Sequence, residues 1–340
     1  MIGFAAAMLT MLSVQTSPEI KAPGPNNSKE PIAKEFSIER GLEFLDSASL
    51  WWQKEKKCLT CHTNVAYLST GAGYASKRPA FEEVRKFFED TVSIRWEQTK
   101  GPRYQADVLV AAQGLAISDA ETTGKLHPLT RRALDRMWTL QRPDGGWNWE
   151  KCDWAPLESD DHYGVTVAIM AAVRAPENYA ETPAAQAGLE KARLYLKNNP
   201  PTMLHHRAML LWVSKYADGY LCEADKERTL TDLLALQRPD GGWATSTLGQ
   251  WKRTDGKDQD LETSDGYGTG FVITQARLAG IPASDERLQK GIAWLKTHQR
   301  ESGRWFTRSL STDSKHYLTN VGTAFALLAL HECGETEPQR

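Results

Sequence analysis

Two kinds of helical pattern alternate along the chain from Ser37 onward. In the first kind, apolar residues recur every three or four positions and leave one polar face, as in Leu230–Leu236. In the second kind, Ala, Gly, Thr and Val occur on every face, which predicts a helix that is buried all round. The one-sided segments span about 37–53, 80–98, 128–141, 184–198, 224–237 and 285–299, and the small-residue segments about 61–70, 104–118, 163–175, 203–216, 267–279 and 317–331.

A repeated turn follows three of the one-sided segments. Residues 141–147 and 237–243 both read QRPDGGW, and residues 299–305 read QRESGRW. Proline cannot continue a helix and glycine permits a positive φ, so each copy predicts a helix end and a turn. Six hairpins side by side bury faces that one hairpin leaves exposed. The pattern therefore predicts an all-α domain, an α6/α6 toroid with the small-residue helices inside, with an open solenoid as the alternative.

The spacing QxxxGxW after an aromatic-containing helix resembles the QW repeat of squalene and oxidosqualene cyclases. The copy that ends at Trp305 fits this pattern best, with Gln299 and Gly303 in place. The resemblance implies the α/α toroid that is also found in protein prenyltransferase β subunits and complement-type thioester domains. It covers about residues 37–332 and is specific for the fold rather than for an activity.

Composition and charge limit the classes of function. The 340 residues include 41 basic and 43 acidic ones, so no nucleic-acid partner is expected. No apolar run reaches the roughly 18 residues of a transmembrane span. Residues 1–16 are interpreted as a weak signal segment, 17–36 as a Pro-rich tether, 37–334 as a single toroid domain and 335–340 as a tail. The expected location is therefore exported, in the periplasm or another extracytoplasmic compartment.

The most specific chemical motif is Cys58-Leu-Thr-Cys61-His62. CxxCH is the attachment signature of a c-type haem, in which two thiols form thioethers and the adjacent imidazole binds the iron. The alternative is a zinc site with the same three side chains as ligands and a rim Asp or His as the fourth. If the iron is six-coordinate, the second axial ligand is expected among the histidines near other inner-helix starts: His162, His205, His206 and His316.

Polar residues cluster where the small-residue helices begin. In a toroid these helices start at the same rim, so residues far apart in sequence become neighbours there. Besides the histidines, the rim is expected to hold Arg103, Asp160, Asp161 and Asp265. Four tyrosines in register, Tyr104, Tyr163, Tyr267 and Tyr317, are expected to ring the mouth of one cavity with Asp265. For carboxylates at these positions, helix N-capping is the alternative role.

The segment Glu158-Ser159-Asp160-Asp161 resembles the DxDD motif of class II terpene cyclases, although Glu158 replaces the first Asp. The resemblance implies that Asp160 is a general acid, kept protonated by the neighbouring carboxylates Glu158 and Asp161. The prenyltransferase zinc site is not expected, because Tyr267 stands where that pattern needs Cys.

Three functions remain open from the sequence. The first is an exported haem c protein that performs electron transfer with a redox partner, or oxidative chemistry beside a cavity for an apolar, isoprenoid-like ligand. The second is a terpene-cyclase-like isomerase or lyase, or a zinc-dependent isoprenoid enzyme, with Asp160 as general acid. The third is a non-catalytic binding toroid.

Overall fold

Twelve long helices form six hairpins in the computed structural model, which describes residues 20, 22–98, 101, 103–314 and 317–335. The outer helices are α1 (Ile38–Glu55), α3 (Pro79–Asp90), α6 (Pro128–Thr139), α8 (Pro183–Asn198), α10 (Glu223–Ala235) and α12 (Glu286–His298). The inner helices are α2 (Asn64–Ala75), α5 (Tyr104–Thr122), α7 (Asp161–Arg174), α9 (Leu204–Ser214), α11 (Gly266–Leu278) and α13 (Leu318–Glu332). A π-helical turn, Thr91–Arg95, and the short α4 (Trp96–Gln98) follow α3.

The inner helices form a closed ring. Each packs against the next in the order α2, α5, α7, α9, α11 and α13, and α13 packs back against α2. Small residues allow this close approach: a Cβ at Gly270 of α11 would lie 2.5 Å from the backbone nitrogen of Ala326 in α13. The prediction of an all-α toroid, rather than an open solenoid, is confirmed. Within the described ranges, no helix combines the length and the apolarity that crossing a bilayer requires.

The three Gln–Trp turns (141–147, 237–243 and 299–305) join consecutive outer helices by the same contacts. In each, the indole N–H donates to a carbonyl of the preceding helix at 2.8–3.0 Å, and the indole is fully buried. The Gln amide donates both to its own turn and to a carbonyl at or just before the next outer helix. These second acceptors are Gly188 for Gln141, Arg287 for Gln237 and Ser37 for Gln299.

The third turn closes the ring. Gln299 both donates to the Ser37 carbonyl and accepts from the Ser37 amide, each at 2.8 Å, so the last hairpin is fixed to the cap of α1. The middle glycine of each turn has φ +92°, and a Cβ on Gly303 would lie 2.0 Å from the Arg40 carbonyl oxygen. Only glycine fits this left-handed conformation at such a close approach.

The segment expected to be a tether packs against the sixth hairpin over the residues that are described, 20 and 22–36. Arg304 donates to Glu30 at 2.6 Å and to the carbonyl of Gly24 at 2.9 Å. Asn26 donates to the Thr307 carbonyl and accepts from the Thr319 hydroxyl. The proposed signal segment, His316 and residues 336–340 lie outside the described residues.

Candidate functional site

Residues at the starts of the inner helices contact one another at one rim of the toroid. Asn320 of α13 donates to Thr63, which precedes α2, at 3.0 Å. The Tyr163 ring of α7 stacks on His205 of α9, and His205 bonds the hydroxyl of Tyr267 of α11 at 2.8 Å. This N-terminal rim is where the polar residues were expected from the sequence.

The CxxCH turn is held by the first residue of α2. The Asn64 carboxamide accepts from the Thr60 amide at 2.9 Å and donates to the Cys58 carbonyl at 3.1 Å. Both thiols are unpaired with other cysteines; Cys61 is buried and Cys58 is partly exposed. The two sulfur atoms and the His62 ring are thereby fixed within one short loop between α1 and α2.

His62 is sealed by aromatic rings. It is 4% exposed, stacks on Tyr317 with a centroid distance of 4.9 Å, and contacts Trp154 and the edge of Trp52. Its Nδ1 lies 2.8 Å from the Thr63 hydroxyl, which leaves Nε2 as the candidate ligand atom. Burial and, secondarily, the charge of Arg103 lower the pKa of His62 to about 3. The imidazole is therefore neutral at ordinary pH, the form that binds metals.

An ion pair between a partly exposed arginine and a buried carboxylate lies beside the thiols. Arg103 donates to Glu158 at 3.1 Å, and Glu158 is 2% exposed. Burial, followed by the charge of Glu158, raises the pKa of the Cys61 thiol well above its ordinary value, and burial also raises the pKa of Cys58. The same three side chains could hold either a thioether-linked haem or, with the thiols deprotonated by the metal, a zinc ion.

The space beside His62 is small. The cavity between His62, Trp154, Leu157 and Tyr317 has a volume of about 20 Å³. A macrocycle needs far more room, so the donor atoms fit a haem only if the loop that carries Trp154 is displaced from the imidazole. A second space of about 320 Å³ lies on the other side of Cys58, lined by Trp96, Tyr104 and Asp107 among others.

The carboxylates of the ESDD segment face different partners. Glu158 pairs with Arg103, and Asp161 accepts from Arg142 at 2.7 Å and pairs with Lys151 at 3.2 Å. Burial works to raise the pKa of Asp161, but its bonds to Arg142 and Lys151 outweigh that effect and lower it. These carboxylates therefore do not form the single cluster that the cyclase motif implies.

Asp160 faces two imidazoles. It is the N-cap of α7, accepting from the backbone amides of His162 and Tyr163. Its Oδ2 lies 3.3 Å from His206 Nε2, and its Oδ1 lies 3.8 Å from His162 Nδ1. The two imidazoles stack on each other at 5.4 Å. The structure thus assembles Asp160, His162 and His206 from two inner helices.

Asp265 has a structural role at the start of α11. Its carboxylate accepts from the amide and the hydroxyl of Thr245 at 2.7 and 2.6 Å, and from the Gly268 amide at 2.9 Å. Burial nevertheless raises its pKa, although these hydrogen bonds oppose the shift. The N-capping alternative describes this residue well.

The four rim tyrosines have different surroundings. Tyr317 covers His62, Tyr163 and Tyr267 lie on either side of His205, and Tyr104 packs on Trp96 beside the Cys58 space. Next to them, Phe271 stacks on His205 and also contacts Phe325, so aromatic rings fill the ring centre at this level. A cleft of about 570 Å³ opens near Asp265, with a largely polar lining that includes Gln259, Arg308 and Asp313.

Two contributors to the CxxCH site were not singled out from the sequence. Trp154 covers His62, although it lies in a loop more than ninety positions away, and Trp52 supports the imidazole from α1. The only sequence signal was the high tryptophan content, 12 residues, which does not say which ring faces the site. Of the four proposed second axial ligands, His162, His205 and His206 make other contacts, and His316 lies outside the described residues.

Comparisons with known proteins agree with the fold. No protein-family model matches the chain. Squalene–hopene cyclase of Zymomonas mobilis subsp. mobilis is 28% identical over 242 residues, which cover 59% of this chain and 34% of that protein. The chain thus spans about a third of the length of this curated relative.

Two solved structures extend the comparison. The ent-copalyl diphosphate synthase from Streptomyces platensis has a TM-score of 0.53 at 15% identity, covering 80% of this chain and 50% of the synthase. A polysaccharide lyase has a TM-score of 0.54 at 12% identity, covering 89% of this chain and 99% of the lyase. The chain is therefore a squalene-cyclase-like α/α toroid, and these likenesses define its fold rather than its reaction.

Proposed function

We propose that the chain is an exported, cyclase-like toroid that carries a covalently attached haem at Cys58, Cys61 and His62. The observation that carries this proposal is the state of His62: a neutral imidazole with Nδ1 next to the Thr63 hydroxyl, directly after two cysteines that are not paired with each other. Few other cofactors use two thiols and an adjacent imidazole in this order.

The protein's own residues define the environment of the proposed haem. Trp52, Leu157 and Tyr317 supply an apolar wall, while Arg103 and Glu158 supply a charge pair on the same side. A haem there would supply one-electron transfer, with a redox partner at the rim. The loop that carries Trp154 would regulate access to the iron side of His62, since it covers the imidazole in this structure.

Expression with a signal peptide in a host competent for haem attachment tests the proposal. The expected product has the mass of the processed chain plus one haem, and its pigment survives acid–acetone extraction. Cys58→Ala with Cys61→Ala abolishes the pigment, whereas the control, Cys222→Ala, keeps it because that thiol is exposed at the start of α10. A colourless wild-type protein whose single zinc disappears with Cys58 and Cys61 would establish the zinc alternative instead.

A second candidate function is isoprenoid chemistry with Asp160 as general acid. Two observations favour it: the carboxylate–imidazole contact between Asp160 and His206, and the similarity to a squalene–hopene cyclase. Asp160 also accepts two backbone N–H bonds at a helix start, so it serves as the N-cap of α7 as well. This function would be supported if the wild type turns over a polyprene and Asp160→Asn abolishes that turnover while still folding. If the wild type shows no turnover, the function is excluded.

A further inference from the structure

We propose that Asp160, His162 and His206 form a binding site for a zinc-type divalent cation, separate from the CxxCH turn. The site lies on the N-terminal rim between α7 and α9. It has three protein ligands and leaves a fourth position for water. This inference is independent of haem attachment, because it shares no residue with Cys58, Cys61 and His62. It assigns to the cation His162 and His206, two of the histidines that the sequence offered as second axial ligands.

The donor atoms lie near the separation that a metal ion imposes. The three ligand atoms all lie within 4.8 Å of one another. Two ligands of a tetrahedral zinc, each at about 2.05 Å, lie about 3.3 Å apart. The distance between Asp160 Oδ2 and His206 Nε2 is 3.3 Å, and that between Asp160 Oδ1 and His162 Nδ1 is 3.8 Å. These two contacts use different oxygens of Asp160, so a bound ion would draw the two imidazoles closer to a single oxygen than they lie here.

Neighbouring hydrogen bonds orient two of the three ligands. His162 Nε2 lies 2.8 Å from the Asn199 carbonyl oxygen, so this nitrogen carries the proton and Nδ1 presents its lone pair on the Asp160 side. Imidazole ligands in metal sites commonly donate their second N–H to a carbonyl in this way. Asp160 is held by the backbone amides of His162 and Tyr163.

His206 supplies the independent observation that a ligand belongs here. Its side chain is 4% exposed, and its Nε2 makes no hydrogen bond within the described part of the chain, although it points at Asp160. A buried polar atom without a partner costs about 1–3 kcal/mol, so such atoms call for an explanation. A cation bound between Nε2 and Asp160 would give this nitrogen the partner that it lacks.

The site is open on one side. The side chains of Asp160 and His162 are 27% and 23% exposed, while His206 closes the inner side. Three protein ligands with a solvent-facing fourth position are typical of zinc sites that activate water, in contrast to the closed four-ligand sites of structural zinc. The proposed cation therefore carries a water at the rim mouth.

Metal titration of the full chain, freed of metal with a chelator, tests the proposal. Zinc is expected to bind at one equivalent, and cobalt is expected to give the visible bands of a site with nitrogen and oxygen ligands. His206→Gln and Asp160→Asn are expected to weaken zinc binding on the order of a hundredfold or more. Asn is also a good N-cap, so Asp160→Asn is expected to fold. The control His127→Asn, which changes an N-cap histidine outside the site, is expected to bind zinc unchanged.

Cys58→Ala with Cys61→Ala distinguishes this site from a zinc site at the CxxCH turn. The proposal predicts that this double variant retains its zinc equivalent. It is overturned if the wild type binds no zinc, if the equivalent disappears with the two thiols, or if His206→Gln and Asp160→Asn both bind as tightly as the wild type. Circular dichroism of each variant shows that a loss of binding is not a loss of fold.

Discussion

Two copies of the same repeat unit differ at the start of their inner helices, where only one copy has titratable side chains beside the shared aspartate. Unit A comprises residues 141–174 and unit B residues 237–278; each contains a QRPDGGW turn, a loop and an inner helix. Asp161 in unit A and Asp265 in unit B occupy equivalent positions. Each faces the backbone amide two residues after the turn tryptophan, at 3.4 Å from Trp149 and at 2.7 Å from Thr245.

The residues just beside these aspartates differ. Unit B has Ser264, whose hydroxyl donates to Asp240 of its own turn at 2.8 Å, and Gly266. Unit A has Asp160 and His162 at the same positions, and both face His206. The shared residues build the fold, and the departures from the repeat supply titratable groups. In a repeat protein, positions at which one copy differs from the others are therefore candidates for functional residues.

The largest expected effect concerns what the units share. Trp147→Ala and Trp243→Ala are each expected to destabilise the chain by about 3–5 kcal/mol, because both indoles are fully buried and bonded. Urea unfolding measures this change. The zinc affinity of the folded fraction is expected to stay the same. If either variant loses less than about 1 kcal/mol of unfolding free energy, its turn is only a surface feature, and the two turns are not structurally equivalent.

The next effect separates the two capping aspartates. Asp265→Ala leaves the buried amides of Thr245 and Gly268 without an acceptor, so a loss of about 3 kcal/mol is expected. Asp160→Ala removes only an exposed cap, for which about 1 kcal/mol is expected. Unfolding free energies at pH 7.5 without metal compare them. Equal losses would mean that Asp160 is as structural as Asp265, against the comparison.

The smallest effect is a pH dependence from unit A. Burial holds the pKa of His206 at about 4, below its ordinary 6.5, so between these values the unfolded chain binds a proton that the folded chain does not. Stability therefore falls as the pH drops through this window, by about 2 kcal/mol at pH 5 for this residue. In metal-free protein, His206→Gln is expected to remove that part of the decline between pH 7.5 and pH 5. His127→Asn serves as the control, and an unchanged decline in His206→Gln contradicts the prediction.

Much of the fold could be predicted from the sequence because the apolar periodicity, the turn residues and the internal repeat all indicated the same architecture. One-sided and all-round apolar periodicities predicted the twelve helices, and the strict alternation of the two kinds predicted their pairing into hairpins. The π-helical turn at Thr91–Arg95 was not anticipated within the segment 80–98, since such a turn has no distinct periodicity. The packing of residues 22–36 against Arg304 was also not anticipated, because Pro- and Asn-rich composition does not specify a docking surface.

The candidate site was predicted less completely. The sequence predicted that Asp160 and the histidines lie at one rim, because they are all near the starts of inner helices and these starts form one rim of a toroid. It did not show that Glu158 faces Arg103 while Asp160 faces His206, because the spacing of residues in the loop before a helix does not fix the direction of each side chain. Nor did it show which rings cover His62. The haem at the CxxCH turn stays a prediction.

Haem and zinc content, determined on one preparation exported from a competent host, tests the central claim most directly. The central claim is that the chemistry of the chain lies where the sequence departs from the repeat, at the CxxCH turn and at Asp160 and His162 of unit A. The wild type is expected to carry one covalent haem and one zinc. Asp160→Ser with His162→Gly, which gives unit A the residues of unit B, is expected to keep the haem and lose the zinc. A wild type with neither group, or a variant that retains its zinc, would contradict the account.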